Sequence, residues 1–329
     1  MEDLRLKSAV ALLSVASNTV LVGFKILIGL LIGSVSVISE AIHSGVDLVA
    51  SVIAFVAVKT GSKPADTQHP YGHGKIENIS GAVEAVLIFV AAGWIVYEAV
   101  MKLVHPREVD KPGWGVIIMC VSAGVNLVVA RLLFKVGRKT DSIALQADAW
   151  HHQTDVWTSA GVMGGLAVLW LQDTFFPKTV DLHFVDPLVA IAVALLIVKA
   201  AWDLTRRSLA DLIDVQLPPE EEEQVRAILA GFAPGVRGFH HLRTRKSGPL
   251  RFFEFHVFVD SRMTVQESHK LSHDIAARIR ETFPGASVAC HVEPCRGNCL
   301  DQRCTGCLLT EEQKGAVRES VWPPTPPAT

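Results

Sequence analysis

Six long apolar runs occupy roughly the first 207 residues of this 329-residue chain and constrain its fold more than any other feature. Each run is close to the ~20 residues that a helix needs to cross ~30 Å of hydrocarbon. Since backbone polar groups must pair within the segment in lipid, such runs form helices. We therefore predict a polytopic α-helical membrane protein with six transmembrane helices. The six runs are Ala9–Ile32, Val35–Val58, Ile79–Leu103, Trp114–Val136, Ile143–Leu171 and His183–Trp202.

The composition excludes two other classes of protein. Half of the residues are hydrophobic, 19% are charged and the mean hydropathy is +0.33, which disfavours both a disordered chain and an ordinary soluble domain. The 31 Lys and Arg residues are balanced by 33 Asp and Glu residues, so no basic field is present to bind nucleic acid through its phosphates. We expect the lipid bilayer, and no nucleic acid, as a partner.

The basic residues of the loops predict the orientation in the membrane. Lys and Arg are more frequent before the first run and after the second, fourth and sixth runs than in the opposite loops, which carry Arg107, Lys111 and Lys178. By the positive-inside rule, both termini lie in the cytoplasm. The first run lacks an A-x-A cleavage site, so we interpret it as a retained helix.

The composition changes after Arg207 and predicts a second domain. We divide the chain into a membrane domain (1–207), a cytoplasmic α+β domain (208–294), and a cysteine-containing segment with a Pro-rich disordered tail (295–329). Within the second domain, the periodicity predicts the order α-β-β-α-β. Its elements are a helix opened by Pro218–Pro219, strands Gly238–Lys246 and Arg251–Asp260, a helix Thr264–Thr282 and a strand Ala286–Glu293.

Two H-x-x-x-D pairs lie inside apolar runs, where ionisable residues are costly. His43 and Asp47 are in the second run, and His151 and Asp155 are in the fifth. Spacing i, i+4 places both members of a pair on one helical face. At ~1.5 Å per residue, both pairs lie about 12 to 18 Å below their membrane surface, near the midplane.

Two imidazoles and two carboxylates form the ligand set of a tetrahedral zinc site. The alternative is that each pair only satisfies itself by a hydrogen bond within its helix, but two copies at matching depth favour a shared metal site. Asp148 and His152 are close in sequence, and we interpret them as neighbours of the site or residues at its entry.

The doubled pair, together with the His69-Pro70-Tyr71-Gly72-His73-Gly74-Lys75 loop, resembles the cation diffusion facilitator family, in its bacterial zinc and ferrous-iron efflux branch. The resemblance extends from the first run to about Pro294. It implies a homodimer of six-helix protomers in the inner (cytoplasmic) membrane, metal(II)/proton antiport, and a ferredoxin-like, metallochaperone-like cytoplasmic domain. This branch of the family often has aspartate at the position of His43. In having histidine there, the chain resembles the zinc-selective members of the family.

The resemblance also implies two further metal sites. Asp66, His69 and His73 match a family site in the loop after the second run, although their spacing alone is equally consistent with solvated side chains. A second set matches a zinc site at the family's cytoplasmic dimer interface, with glutamate replacing the family's aspartate; scattered solvated histidines are the alternative. This set is His240, His256, His269, His291 and Glu293.

A cysteine cluster near the end of the folded region has no counterpart in the resemblance. Because the cytoplasm is reducing, thiolate ligation is favoured over disulfides, and a flexible reduced tail is the alternative. The candidate thiolate ligands are Cys295, Cys299, Cys304 and Cys307.

The resulting hypothesis is a zinc(II)/proton antiporter that exports zinc and is regulated by zinc bound in the cytoplasm. Manganese, iron, cobalt or cadmium as the main substrate is the alternative within the family. An integral-membrane metalloenzyme is the alternative from another class, but four protein ligands would close the position that catalytic zinc keeps open for water. We therefore predict a transporter and no enzyme activity.

Overall fold

The computed structural model describes residues 2–32, 35–105, 114–175, 184–295 and 306–321. The chain divides into two compact units, Met1–Leu212 and Ile213–Thr329.

The first unit consists of six long helices, as predicted. In the described part of the chain, five of them are long and apolar enough to cross a membrane. The sixth, α5 (Ile143–Phe175), has 33 residues and is not among these five. The helices are α1 (Glu2–Ile32), α2 (Val35–Gly61), α3 (Lys75–Val104), α4 (Trp114–Lys139), α5 (Ile143–Phe175) and α6 (Val185–Leu212).

The helices extend beyond the predicted apolar runs. For example, α1 begins at Glu2 rather than at Ala9, and α6 ends at Leu212 rather than at Trp202. A charged residue ends an apolar run in the sequence but does not end the helix, because Lys, Arg and Glu are good helix formers.

Small residues bring the helices of this unit together. Alanines form much of the buried contact surface, among them Ala57, Ala144 and Ala149, as is typical where membrane helices pack closely. At Gly81 of α3 a Cβ atom would lie 2.6 Å from the hydroxyl of Ser208 on α6, so any larger residue would force the Ser208 side chain to move.

The second unit is a four-stranded mixed sheet with helices packed on it. Its strand order is β3-β2-β1-β4, with β1 antiparallel to β2 and β4 and with β2 parallel to β3. The predicted order α-β-β-α-β is confirmed, and β4 and α9 were not predicted. The elements are α7 (Pro219–Ala230), β1 (Gly238–Ser247), β2 (Leu250–Val259), α8 (Val265–Thr282), β3 (Ser287–Pro294), β4 (Gly306–Cys307) and α9 (Glu311–Val321).

Alternation along β2 from Phe253 onward creates the core of this unit. Phe253, Phe255 and Val257 are at most 1% exposed and pack with Ile275 and Ile279 of α8. Since successive side chains of a strand point to opposite faces, His256 lies on the other face of the sheet. The hydrophobic pattern therefore determines which face carries polar chemistry.

Replacing Thr264 with alanine should destabilise α8 by about 1 kcal/mol. Thr264 caps the helix, accepting a hydrogen bond from the Glu267 amide while the Glu267 carboxylate accepts one from the Thr264 amide. Amide hydrogen exchange in the first turn of α8 measures the effect. Thr282→Ala, at the other end of the helix, is the control, because its hydroxyl reaches only the Arg278 carbonyl at 3.4 Å. Equal exchange in the two variants would contradict the assigned role of the cap.

Candidate metal centres

The four predicted membrane ligands lie together between α2 and α5. One ligand atom from each of His43, Asp47 and Asp155 falls within 4.8 Å of the others. His151 Nε2 lies 3.0 Å from Asp47 Oδ1. The packing of the two helices thus assembles two imidazoles and two carboxylates in one cluster, which we call the membrane centre.

The membrane centre is buried on one side and open on the other. Asp47 and His151 are 6% and 5% exposed, Asp155 is half-buried and His43 is exposed in the protomer. Ligand atoms around a tetrahedral zinc with bonds of about 2.0–2.1 Å are roughly 3.3 Å apart. The cluster has the donor types for such an ion: three of the donors lie within 4.8 Å of one another, and His151 joins them through its contact with Asp47.

A stripe of polar residues on α1 supports the centre and was missed by the sequence analysis. Lys7, Ser14, Asn18 and Lys25 are at most 4% exposed and share one helical face. Asn18 Nδ2 donates to the backbone carbonyl of Asp47 at 3.3 Å, and Lys25 Nζ donates to Ser44 Oγ at 2.7 Å. Their spacing of seven, four and seven residues within an apolar run is the signal that could have revealed them.

Further polar side chains lie behind the centre. Asn126 of α4 bonds both Asp155 and His152, and His152 also contacts Ser14. An Asp148 oxygen lies 3.8 Å from His152 Nε2. Thus His152 and Asp148 neighbour the site, as interpreted, and Asn126 is an addition that the sequence did not reveal.

Glu84 of α3 is a buried acid that the sequence analysis also missed. It is fully buried, accepts a hydrogen bond from Ser80 at 3.4 Å and interacts electrostatically with Asp148 and His151. A carboxyl group at position 84 within an apolar run is a sequence signal of the same kind as the H-x-x-x-D pairs.

The loop between α2 and α3 brings Asp66, His69 and His73 into one group. Their ligand atoms lie within 4.8 Å of one another, and the two imidazole centroids are 4.3 Å apart. The backbone amide of His69 donates a hydrogen bond that lowers the pKa of the Asp66 carboxyl, and the His69 side chain and the Gln68 amide act in the same direction. An ionised carboxylate beside two imidazoles can bind a divalent cation.

A third group lies on the polar face of the sheet in the second unit. The strand register places His240, His256 and His291 side by side on β1, β2 and β3. Glu293 bonds His256 Nδ1 at 2.8 Å and His240 Nε2 at 3.2 Å, and His291 Nε2 lies 3.6 Å from its carboxylate. Three adjacent strands therefore present three imidazoles to one carboxylate.

Hydrogen bonding keeps this carboxylate in its ionised form. Burial raises the pKa of Glu293, but the hydrogen bonds from His256 and His240 lower it, and the pKa lies below its usual value. The ionised form is the one that binds metal.

His269 does not join this group within the protomer. It lies exposed on α8, where its ring is 4.7 Å from that of His273. Spacing i, i+4 on a helix brings these two imidazoles together. The predicted five-residue set is therefore only partly assembled by one chain.

The predicted thiolate site is not assembled among the described residues, and Cys299 and Cys304 lie outside them. Cys295 follows β3 and Cys307 lies in β4, at opposite edges of the sheet. Three strand spacings of about 4.8 Å separate these edges, whereas Zn–S bonds of ~2.3 Å require much closer sulfurs. Cys295 and Cys307 are therefore too far apart to share an ion in this arrangement, and the four-cysteine site stays a prediction.

Family comparisons cover nearly all of the chain. Residues 11–213 match the cation efflux transmembrane domain, and residues 217–295 match the cytoplasmic domain of cation efflux proteins. The chain is 37% identical to the transporter sll1263 of Synechocystis sp. over 294 residues, which cover 88% of this chain and 91% of that one. It is 31% identical to the cation-efflux pump FieF of Escherichia coli O127:H6 over 291 residues, covering 88% and 94% respectively.

Solved structures resemble the C-terminal part of the chain in sequence. The Zn form of the transporter CzrB is 41% identical and covers 25% of this chain and 92% of that one, with a TM-score of 0.23. The metal-bound C-terminal domain of the CzcD transporter from Thermotoga maritima is 30% identical and covers 23% and 87% respectively, with a TM-score of 0.22.

Proposed function

The chain belongs to the cation diffusion facilitator family of divalent-cation efflux transporters, and we propose that its main cargo is zinc, exported from the cytoplasm in exchange for protons. The membrane centre is the single observation that carries this proposal. Two imidazole nitrogens among four donors favour zinc over manganese, magnesium and calcium, which prefer all-oxygen sites.

The contact between His151 and Asp47 supports the exchange of metal for protons. An ionised carboxylate only accepts hydrogen bonds, so in the 3.0 Å contact with Asp47 Oδ1 the Nε2 atom of His151 carries a proton. A metal ion that binds this nitrogen must displace that proton, and from a doubly protonated imidazole the displaced proton leaves the site. Competition for the same atoms is the physical basis of antiport.

We assign the other two centres to supporting roles. Asp66, His69 and His73 form a second metal site in the loop, and the ligands on the sheet form a zinc site that regulates the transporter. We further propose a homodimer in the inner membrane with both termini in the cytoplasm. In such a dimer, His269 is free to complete a site with ligands from the other chain.

Reconstituted vesicles that contain the purified protein test the cargo and the coupling. We expect zinc to give the fastest flux in a panel of zinc, cadmium, cobalt, iron and manganese. We also expect protons to move in the direction opposite to zinc, so that internal pH rises as zinc enters the vesicles. Faster flux of another ion would overturn zinc as the main cargo. Zinc flux that is indifferent to an imposed pH gradient would overturn the exchange mechanism.

A further inference from the structure

Asn126 of α4 lies between a metal ligand and a neighbouring histidine of α5. Its Nδ2 atom donates to Asp155 Oδ2 at 3.2 Å, and its Oδ1 atom lies 3.2 Å from His152 Nδ1. The side chain is 7% exposed, so both contacts are shielded from water. A buried amide in this position orients the two groups that it bonds.

The chemistry of the partners determines which way the amide points. If the amide were turned over, its oxygen would face a carboxylate oxygen, and neither atom could donate. The Nδ1 atom of His152 is therefore the donor to Asn126. The remaining nitrogen, Nε2, lies 2.9 Å from the hydroxyl of Ser14 on α1 and accepts a hydrogen bond from it.

His152 consequently anchors the amide instead of binding metal. The side chain is fully buried and both ring nitrogens are used in hydrogen bonds, one to α4 and one to α1. Asn126 is thus held from behind by His152 and presents its Nδ2 atom to Asp155. Ser14 of α1, His152 of α5 and Asn126 of α4 thus form a chain of hydrogen bonds that ends on Asp155, one ligand of the membrane centre. We call these three residues the bracket.

We propose that Asn126 is a positioning residue that makes Asp155 a one-oxygen ligand and so keeps the membrane centre four-coordinate. Because Oδ2 is held by the amide, Asp155 offers the ion its other oxygen. Four-coordinate sites suit zinc, whereas manganese prefers six-coordinate sites rich in oxygen. Without the hydrogen bond from Asn126, the Asp155 carboxylate would supply a second oxygen and raise the affinity of the site for manganese. The inference rests on the proposed zinc transport by this same site.

The full-length protein in vesicles, with zinc and manganese supplied separately, tests this role. Asn126→Leu removes both hydrogen bonds and keeps a branched side chain of the same length. Loss of partners that orient metal ligands typically costs 10–100-fold in affinity, so we expect zinc affinity to fall by about this factor and the ratio of manganese to zinc flux to rise about tenfold. Ser122→Ala is the matched control, because Ser122 is also buried on α4, one turn away, and its hydroxyl makes no hydrogen bond within the described part of the chain.

An equal fall of zinc and manganese flux in Asn126→Leu would show a merely structural role and overturn the proposal. If that variant fails to fold, His152→Leu carries the test, since it removes the anchor but leaves the amide, and we expect a smaller rise in the same ratio. His152→Asn places an N–H donor near the position of Nδ1 and should keep the wild-type ratio. An unchanged ratio in His152→Leu would also overturn the proposal.

These outcomes are separable from those of the zinc proposal. The wild-type flux panel alone decides whether zinc is the main cargo. The effect of Asn126 is a change of ratio relative to the wild type, and it is measurable whichever ion the wild type prefers.

Discussion

Replacing Asp155 with alanine should reduce zinc flux more than about 100-fold, to the level of vesicles without protein. Loss of a partner behind a ligand typically costs 10–100-fold, and loss of a ligand itself should cost more. The change also removes one of two negative charges that balance a divalent ion in a low-dielectric site. The measurement is zinc flux into vesicles that contain equal amounts of folded protein.

Two companion variants make the Asp155 experiment specific. Asp155→Asn keeps the shape but removes the charge, and it should be as inactive as the alanine variant. Thr158→Val lies on the same helix and loses only a hydroxyl that bonds the Asp155 backbone carbonyl at 3.0 Å, so its flux should remain near wild type. Substantial zinc flux through Asp155→Asn would show that the carboxylate is not a required ligand.

Replacing Lys7 with methionine should destabilise the membrane unit by about 3–5 kcal/mol. The Lys7 ammonium lies 2.6 Å from a Glu77 oxygen, and the Ser142 hydroxyl donates to the other oxygen of the same carboxylate. Lys7 and Glu77 are 6% and 0% exposed in their side chains, so the change leaves a buried charge without its counterion. Unfolding of the purified protein in detergent, by heat or by denaturant, measures the loss.

An exposed pair supplies the control for the buried one. Lys139 Nζ lies 3.9 Å from Asp3, with side chains 62% and 71% exposed, and Lys139→Met should cost less than about 1 kcal/mol. The double variant Lys7→Met/Glu77→Leu should recover much of the stability, because replacing a whole buried pair by apolar residues is often neutral. A cost for Lys7→Met no greater than that for Lys139→Met would contradict the importance of the buried pair.

The residues of the membrane centre were largely predictable, because the sequence pattern that identifies each pair lies within a single helix. A helical repeat places residues i and i+4 on one face, and hydropathy locates both pairs at the same depth. His43, Asp47, His151 and Asp155 therefore needed only the packing of two helices to meet. The alternation in β2 made the polar face of His256 predictable in the same way.

Contacts between distant segments were not predictable. Asn126 and Ser14 are ordinary polar residues in apolar runs, and nothing in their own segments indicates that they meet at His152. The separation of Cys295 from Cys307 has the same origin. Closeness in sequence suggested a shared site, but the strand order places the two residues at opposite sheet edges.

The sequence by itself determined the six long helices of the first unit, the α-β-β-α-β order of the second unit and the residue types of the membrane centre. These follow from hydropathy and from the fixed periods of helix and strand, which act over a few residues. Only the tertiary structure decided that Asn126 and His152 bracket Asp155, that Lys7 neutralises Glu77, and that His240, His256 and His291 line up across three strands. Such contacts depend on which helices and strands become neighbours, and no local period specifies that choice.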